Sequence, residues 1–198
     1  MKKVNSIIIK NNWRMIMKRK VILYIAMSLD GFIADENGGV AWLNGQGTET
    51  KPDNSYSEFI KNIDTVILGM TTYNQVITEL SPQLWPYEDM KSYVFTSKSV
   101  NNIKSKENIE FVNGDIVKFI ENLKKQEGKD IWICGGASIV NQLVEHNLID
   151  EYYLTIIPTI LGKGIRLFSN NNQTILLKCD KSVVYDGMIT AIYSRREG

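Results

Sequence analysis

The chain reads as an α/β protein: a mostly parallel central sheet with helices on both faces and an antiparallel hairpin at its C-terminal end. Three observations predict this. Short apolar runs alternate with amphipathic stretches at helical spacing, the pattern of repeated strand–helix–strand units. The first run is apolar on both sides, as a strand covered from two faces must be. Near the end, Asp186-Gly187 separates two long strand-like stretches, a dipeptide suited to a two-residue hairpin turn.

Taken in order, residues Lys20–Ser28 form the first strand, with Val21, Leu23 and Ile25 on one side. Asp53–Ile63 is predicted helical because Tyr56, Phe59, Ile60 and Ile63 share a face. Thr65–Leu68 is a short buried strand ending at Gly69, and Thr71–Leu80 a helix stopped by Pro82. Strands at Ser92–Thr96 and Ile109–Val112 precede an amphipathic helix over Ile116–Gln126, with Asp115 or Gly114 at its N-cap and Gly128 beyond its end. Ile131–Cys134 is a strand, Ser138–His146 a helix and Glu151–Ile157 a strand that ends at Pro158. Thr174–Tyr185 and Met188–Ser194 make the terminal hairpin. No repeat or Pro/Gly-rich linker divides the chain, so residues 18–198 read as a single domain.

Composition narrows the functional classes. With 43% apolar and 23% charged residues, the protein is ordinary in globular terms, and no apolar run nears the roughly 20 residues a membrane span needs. Cys134 and Cys179 lack metal-ligand spacing and suggest no disulfide framework, which fits a cytoplasmic protein and no bound metal. Seven of the 23 basic residues fall within residues 1–20, where there is no acid. The remainder carries 16 basic against 22 acidic residues, a net of −6, which gives no electrostatic reason to expect nucleic acid as a partner. Residues 1–17 therefore read as a basic extension, disordered or upstream of a natural start at Met15 or Met17.

In open α/β sheets, ligands sit outside the carboxyl ends of the strands. Those ends carry Ser28-Leu29-Asp30-Gly31, Gly69-Met70-Thr71-Thr72, Thr96-Ser97-Lys98 and Gly135-Gly136-Ala137-Ser138. The last is the most informative, because a strand that stops at paired glycines and restarts as a helix presents free N–H groups to an anion. Backbone donors, hydroxyls and one ammonium on a common rim suit a dinucleotide. The six-residue glycine fingerprint is missing, and so is the ribose-binding acid that follows it. Hydroxyls with Lys98 favour a ribose bearing a 2′-phosphate, hence NADPH over NADH.

The segments Ser28-Leu-Asp-Gly-Phe-Ile-Ala34, Val66-Ile-Leu-Gly-Met-Thr-Thr-Tyr73, Val94-Phe-Thr-Ser97, Ile131-Trp-Ile-Cys-Gly-Gly-Ala137 and Leu154-Thr-Ile-Ile-Pro158 occur in the order found in the dihydrofolate reductase superfamily, which the chain resembles over about residues 20 to 195. The first of them and Leu161-Gly-Lys-Gly-Ile-Arg-Leu-Phe168 look like its riboflavin-biosynthesis branch, the C-terminal reductase domain that reduces 5-amino-6-(5-phosphoribosylamino)uracil. The resemblance implies a three-layer fold, NADPH, a small heterocyclic substrate of pyrimidine or pterin type reduced at C=N or C=O, and a homodimer. It assigns the pyrophosphate and adjacent ribose to Gly135, Gly136, Ala137, Ser138 and Ile139. It gives a second phosphate loop to Gly69, Met70, Thr71 and Thr72, and the 2′-phosphate to Thr96, Ser97 and Lys98. Ala26, Ile33 and Ala34 would receive the nicotinamide carboxamide. Trp42, Ser55, Phe59 and Thr155 match positions that line the substrate.

Three departures shape the expected chemistry. Met70 stands where the second phosphate loop has an arginine, Val140 where an aromatic hydroxyl is usual, and Ser55 where a carboxylate holds a pterin. A serine cannot pair with a cationic pterin, which sets dihydrofolate reductase behind pyrimidine reduction as the alternative. A non-catalytic NADPH-binding module is the other. Proton delivery is assigned to Asp53, Asp30 or an ordered water, and a carboxylic acid in that role needs a raised pKa. Asp30 also has a turn-closing reading, since Ser-x-Asp-Gly commonly bonds its own backbone. His146 reads as a helix-end residue, Cys134 as packing, Trp85 as packing, a lid over the site or a partner surface, and Gly162-Lys163-Gly164 as a glycine-assisted loop or a phosphate contact.

Overall fold

The computed structural model describes residues 19–48, 54–99, 107–169 and 173–196. The extension over residues 1–17 and Asp53 lie outside them. Ten strands and four helices follow in the order β1 (Val21–Ser28), β2 (Phe32–Ala34), α1 (Ser55–Ile60), β3 (Ile63–Gly69), α2 (Met70–Gln75), β4 (Lys91–Phe95), β5 (Ile109–Val112), α3 (Ile116–Leu123), β6 (Asp130–Gly135), α4 (Ala137–Glu145), β7 (Glu151–Ile157), β8 (Ile165–Arg166), β9 (Leu177–Tyr185) and β10 (Met188–Arg195) among the described residues. Eight of the strands make one sheet in the order β5-β4-β3-β6-β1-β7-β10-β9. The six from β5 to β7 are parallel, and β10 and β9 add antiparallel to them.

Strand periodicity explains the two cores. Side chains alternate between faces, so Val21, Leu23, Ile67, Ile131 and Ile133 point one way and Ile22, Val66, Leu68 and Trp132 the other. The first set packs under α3 and α4, through Ile116, Ile120, Leu123, Ile139, Val140, Leu143 and Val144. The second packs under α1 through Phe59, and under the segment after α2 through Val76. Chain direction accounts for this: from β1 through β5 the order runs outward to one edge, and the return through β6 and β7 places its helices on the other face.

Helix ends follow local chemistry. Asp115 accepts from Val117 N at 2.9 Å and Lys118 N at 3.1 Å, so it and not Gly114 caps α3. That helix stops at Leu123, and Lys124–Gln126 close a turn in place of the expected continuation. Helix α1 is shorter than its periodicity predicts, because Ile63 leaves the helix to pair with Asp130 in the sheet. The predicted Thr71–Leu80 helix is α only to Gln75, and Val76–Leu80 is a π-type turn. The expected strand from Thr174 begins at Leu177, and Asp186 and Gly187 both adopt positive φ, 48° and 75°, as a tight hairpin turn requires. Strands β2 and β8, not predicted, pair with each other as a small separate sheet.

Candidate active site

The glycine corner lies where β6 gives way to α4. Gly135 has φ +141°, a conformation L side chains rarely adopt, and Gly136 is the N-cap of α4 with no side chain capping it. The peptide bond between them is cis. Since the first N–H groups of a helix have no partner within it, the start of α4 is a set of backbone donors without a side-chain acceptor. The second corner, β3 into α2, abuts the first: a Cβ placed on Gly69 would stand 3.6 Å from Gly136 N. Thr72 closes the gap, its hydroxyl 3.4 Å from a Cβ built on Gly136. These two strands lead to helices on opposite faces of the sheet, which opens a crevice between them.

The other rim residues divide by environment. Thr96, Ser97 and Lys98 follow β4, next to β3, with Ser97 and Lys98 exposed. Lys98 N donates to Thr96 Oγ1 at 3.1 Å and Asn113 donates to Lys98 O at 3.0 Å, which fixes the turn and leaves the ammonium without an ion pair among the described residues. Met70 and Thr72 are half-buried and Thr71 exposed; Ser138 is exposed, while the Ile139 side chain belongs to the core. Ala26 lies on β1 beside Thr155, and Ile33 and Ala34 lie on β2, which pairs with β8.

A groove of about 620 Å³ runs along the sheet face beneath α1. Its floor includes Tyr24 of β1 and Tyr153 of β7, directly paired, and Phe59 of α1 stands edge-on to Tyr24 with ring centroids 4.6 Å apart. Ser55 also lines it. Thr155 bonds at 2.9 Å to Thr190, which does line it. The structure thus brings Ser55 and Phe59 into one groove with Thr155 at its border. Trp42 is not in the lining; it is half-buried in the loop after β2, where Nε1 donates to Gly39 O at 3.2 Å. The groove and the glycine corner share no lining residue: a Cβ on Gly135 would meet Ile25 Cδ1 at 3.7 Å, and Ile25 follows the groove residue Tyr24 on β1 but faces the other side of the sheet. Tyr24, Tyr153, Thr190 and Lys181 were not anticipated. Alternate residues along β1 and β7 would have revealed the two tyrosines.

Asp30 closes a turn. It accepts from Ser28 Oγ at 2.6 Å, Gly162 N at 2.7 Å and Leu161 N at 3.1 Å. The Ser28 hydroxyl above all, and then those backbone donors, hold its carboxyl down at about 2. That is the opposite of the raised pKa a proton donor needs, so the geometry favours the turn-closing reading. Gly164 lets the same segment approach β2, since a Cβ there would lie 2.2 Å from Ala34 O. Lys163 pairs with Glu36 at 2.7 Å, as a loop residue already provided with an anion.

The remaining candidates pack. Trp85 is buried against Tyr73 and Tyr87 and donates to Ser92 Oγ at 3.1 Å. Burial pushes the Cys134 thiol up to about 11, which suppresses the thiolate a nucleophile requires. His146 is the C-cap residue of α4, with Nδ1 2.9 Å from Gln142 O. Among the described residues there is no grouping of His, Cys, Asp and Glu able to hold a metal and no helix long and apolar enough to cross a membrane.

Residues 19–191 match the RibD C-terminal domain family. The chain belongs to that family. It is 44% identical over 161 residues to the uncharacterized protein YwjB of Bacillus subtilis (strain 168), covering 81% of this chain and 89% of YwjB. A solved Shewanella sp. PV-4 protein ascribed to riboflavin biosynthesis superposes with a TM-score of 0.78 at 26% identity, over 90% of this chain and 99% of that one. Dihydrofolate reductase from Enterococcus faecalis, solved with NADP(H) and the ligand RAB-propyl, superposes with a TM-score of 0.60 at 17% identity, over 91% and 98% of the two chains. The fold is that of dihydrofolate reductase, and this RibD C-terminal domain member keeps its mostly parallel sheet and C-terminal antiparallel pair.

Proposed function

We propose that this RibD C-terminal domain protein is an NADPH-dependent reductase of a pyrimidine- or pterin-like heterocycle, acting at a C=N or C=O group. One observation supports the reading: the uncapped corner at Gly135-Gly136 ends β6, the strand paired with β1, and β1 carries Tyr24 in the floor of a groove with aromatic floor and hydroxyl border large enough for such a ring. The residues present fit the cofactor. Backbone donors at Ala137 and Ser138 face an approach that any side chain at Gly135 or Gly136 would narrow, and Gly69 keeps the neighbouring wall clear. Lys98, Ser97 and Thr96 supply charge and hydroxyls for a 2′-phosphate, and Ala26, Ile33 and Ala34 take the carboxamide end. When bound, NADPH would supply a hydride to the carbon of the substrate's C=N or C=O group.

The chain's own residues orient and sort. Tyr24, Phe59 and Tyr153 provide flat apolar contact for a ring, and the Thr155–Thr190 pair offers hydrogen bonds at its edge. The carboxylates lining the groove are elsewhere engaged. Glu151 pairs with Lys20 at 2.6 Å, Glu58 pairs with Lys61 at 2.5 Å, and Asp130 accepts from Lys20 N at 2.8 Å. Burial raises the Asp130 carboxyl, but it opens β6 while the glycine corner ends it, roughly 17 Å away at about 3.3 Å per residue. The proton source is assigned to Asp53, the sequence neighbour of the groove residues Asn54 and Ser55. The absence of a carboxylate at Ser55 places a neutral pyrimidine ahead of a pterin.

The test is twofold. Titration with NADPH and NADH, read by cofactor fluorescence, should show NADPH bound more tightly. NADPH oxidation should then respond to 5-amino-6-(5-phosphoribosylamino)uracil more than to dihydrofolate. Binding without oxidation across such a panel would leave a nucleotide-binding module, and no binding of either cofactor would end the reading.

A further inference from the structure

The charged residues of the groove stand on different walls. At the end where β1, β6 and β7 begin, it is lined by Glu58, Asp130 and Glu151, with Lys61 pairing Glu58 and Lys20 pairing Glu151. At the hairpin side its wall is β9, where Lys181 stands opposite Ile192 of β10. Lys181 is exposed and makes no ion pair among the described residues, whereas Lys20, Lys61, Lys91, Lys118, Lys124 and Lys178 each hold a carboxylate. A cation on a groove wall with no ion-pair partner among the described residues, two strands across from Glu151, is a docking point for the ligand's charge.

Building on the reductase reading, we infer that Lys181 is a specificity-determining residue that receives an anionic arm carried by the heterocyclic substrate. Sheet register sets the reach. Ala26, Thr155, Thr190 and Val183 share one row across β1, β7, β10 and β9, and Lys181 lies two residues earlier on β9, in the row of Tyr24 and Tyr153. Three strand spacings of about 4.8 Å and two residues of about 3.4 Å put its Cα roughly 16 Å from that of Ala26. The flexible lysine stem covers part of this span, and the rest matches a pentose with a terminal phosphate, or a carboxylate arm of like length. The ring lies on Tyr24 and Tyr153, and the arm crosses Thr190 and Ile192 to the ammonium. An arm of the same charge laid toward the start of β6 instead meets the Asp130 carboxylate. The lysine in the glycine loop, Lys163, is already held by Glu36 and does not compete for the arm.

The experiment is calorimetric titration of the full chain, with and without saturating NADP⁺. The ligands are 5-amino-6-(5-phosphoribosylamino)uracil, its dephosphorylated riboside, and folate for the carboxylate arm. The proteins are the natural chain, Lys181→Ala, Lys181→Arg and Lys125→Ala, the last an exposed cation outside the groove. The expected result is about tenfold tighter binding of the phosphorylated compound than of the riboside. That preference should be lost in Lys181→Ala, kept in Lys181→Arg and Lys125→Ala, with riboside affinity unchanged throughout. Folate binding that weakens in Lys181→Ala, with no phosphate preference, assigns the same contact to carboxylates. The inference is overturned if neither phosphate nor carboxylate compounds lose affinity in Lys181→Ala, including the case where none binds. A Lys181-dependent preference measured without NADP⁺, in a protein that binds no pyridine nucleotide, would sink the reductase reading and leave this contact standing.

Discussion

Single residues at the rim do separable jobs, and substitution can tell them apart. Gly136 has φ −91°, open to any residue, and a Cβ there meets only the Thr72 hydroxyl at 3.4 Å. Gly136→Val should therefore fold, with an unfolding midpoint near that of the natural chain, yet lose NADPH and NADH binding together; retained affinity would make the corner purely architectural. Lys98→Ala should weaken NADPH by about tenfold or more and leave NADH nearly unchanged, because only the former brings a phosphate to its ammonium. Equal losses by fluorescence titration would remove the cofactor preference. Asp30 predicts a pH signature. Its folded pKa of about 2 lies below the ordinary 3.8, so its contribution is present above pH 4 and is lost as pH falls toward 2. Denaturant titrations should thus show Asp30→Asn less stable than the natural chain at pH 6, with the gap shrinking between pH 4 and pH 2. A gap that ignores pH would mean the carboxylate's charge is irrelevant to the turn.

At the scale of elements, what was legible in the residues was whatever repeats. Strands β1, β3, β6 and β7 announce themselves as runs apolar on both sides, since both faces are roofed by helices, and α3 and α4 by their amphipathic spacing. Strands β2 and β8 have three and two residues, too few for any period, and long-range bonds such as Leu167 N to Gly31 O hold them in place. The glycine corners were visible because glycine next to a strand end is a local signal. The groove was visible only in part, at Ser55 and Phe59 through the resemblance, because the rest of its lining is gathered from several strands, each residue unremarkable in its own segment. The same blindness hid the tie between the loop after β2 and the terminal hairpin. Gly47 N and Thr48 N donate to the Asp186 carboxylate at 2.9 and 2.8 Å, and Gln46 N donates to its carbonyl. Asp186→Asn preserves a residue tolerant of positive φ while removing the charge. It should cost about 1 kcal/mol and speed hydrogen exchange at the Gly47 and Thr48 amides. Unchanged protection at those two amides would mean that other contacts hold the loop.

For the whole molecule, the site depends on a sheet that changes direction in its middle, and that sheet is anchored at the opposite end from the chemistry. Arg19 is 4% exposed just ahead of β1. It ion-pairs with Asp64, donates to Thr65 Oγ1 at 2.7 Å and donates to Lys129 O at 2.5 Å, tying the starts of β1, β3 and β6 together. These three strands are the ones whose far ends carry Asp30, Gly69 and Gly135, so the anchor sets the relative register of the corners. Removing the guanidinium takes the cation from Asp64, which keeps its bonds from Thr65 Oγ1 at 2.7 Å and Lys129 N at 2.7 Å. Arg19→Ala should cost about 2–4 kcal/mol, toward the lower end of the range for a broken buried pair because Asp64 keeps some contact with solvent. For a chain of this size that is a fall of roughly 4–16 °C in the unfolding midpoint. A chain starting at Lys18 keeps Arg19 and should match the full chain in both melting temperature and NADPH affinity, whereas one starting at Val21 should melt as low as Arg19→Ala or lower. If the shorter chain melts like the full one, the anchor is dispensable and β1 is held by its ladders and core alone. If the Lys18 chain loses affinity while keeping its midpoint, the basic extension takes part in binding.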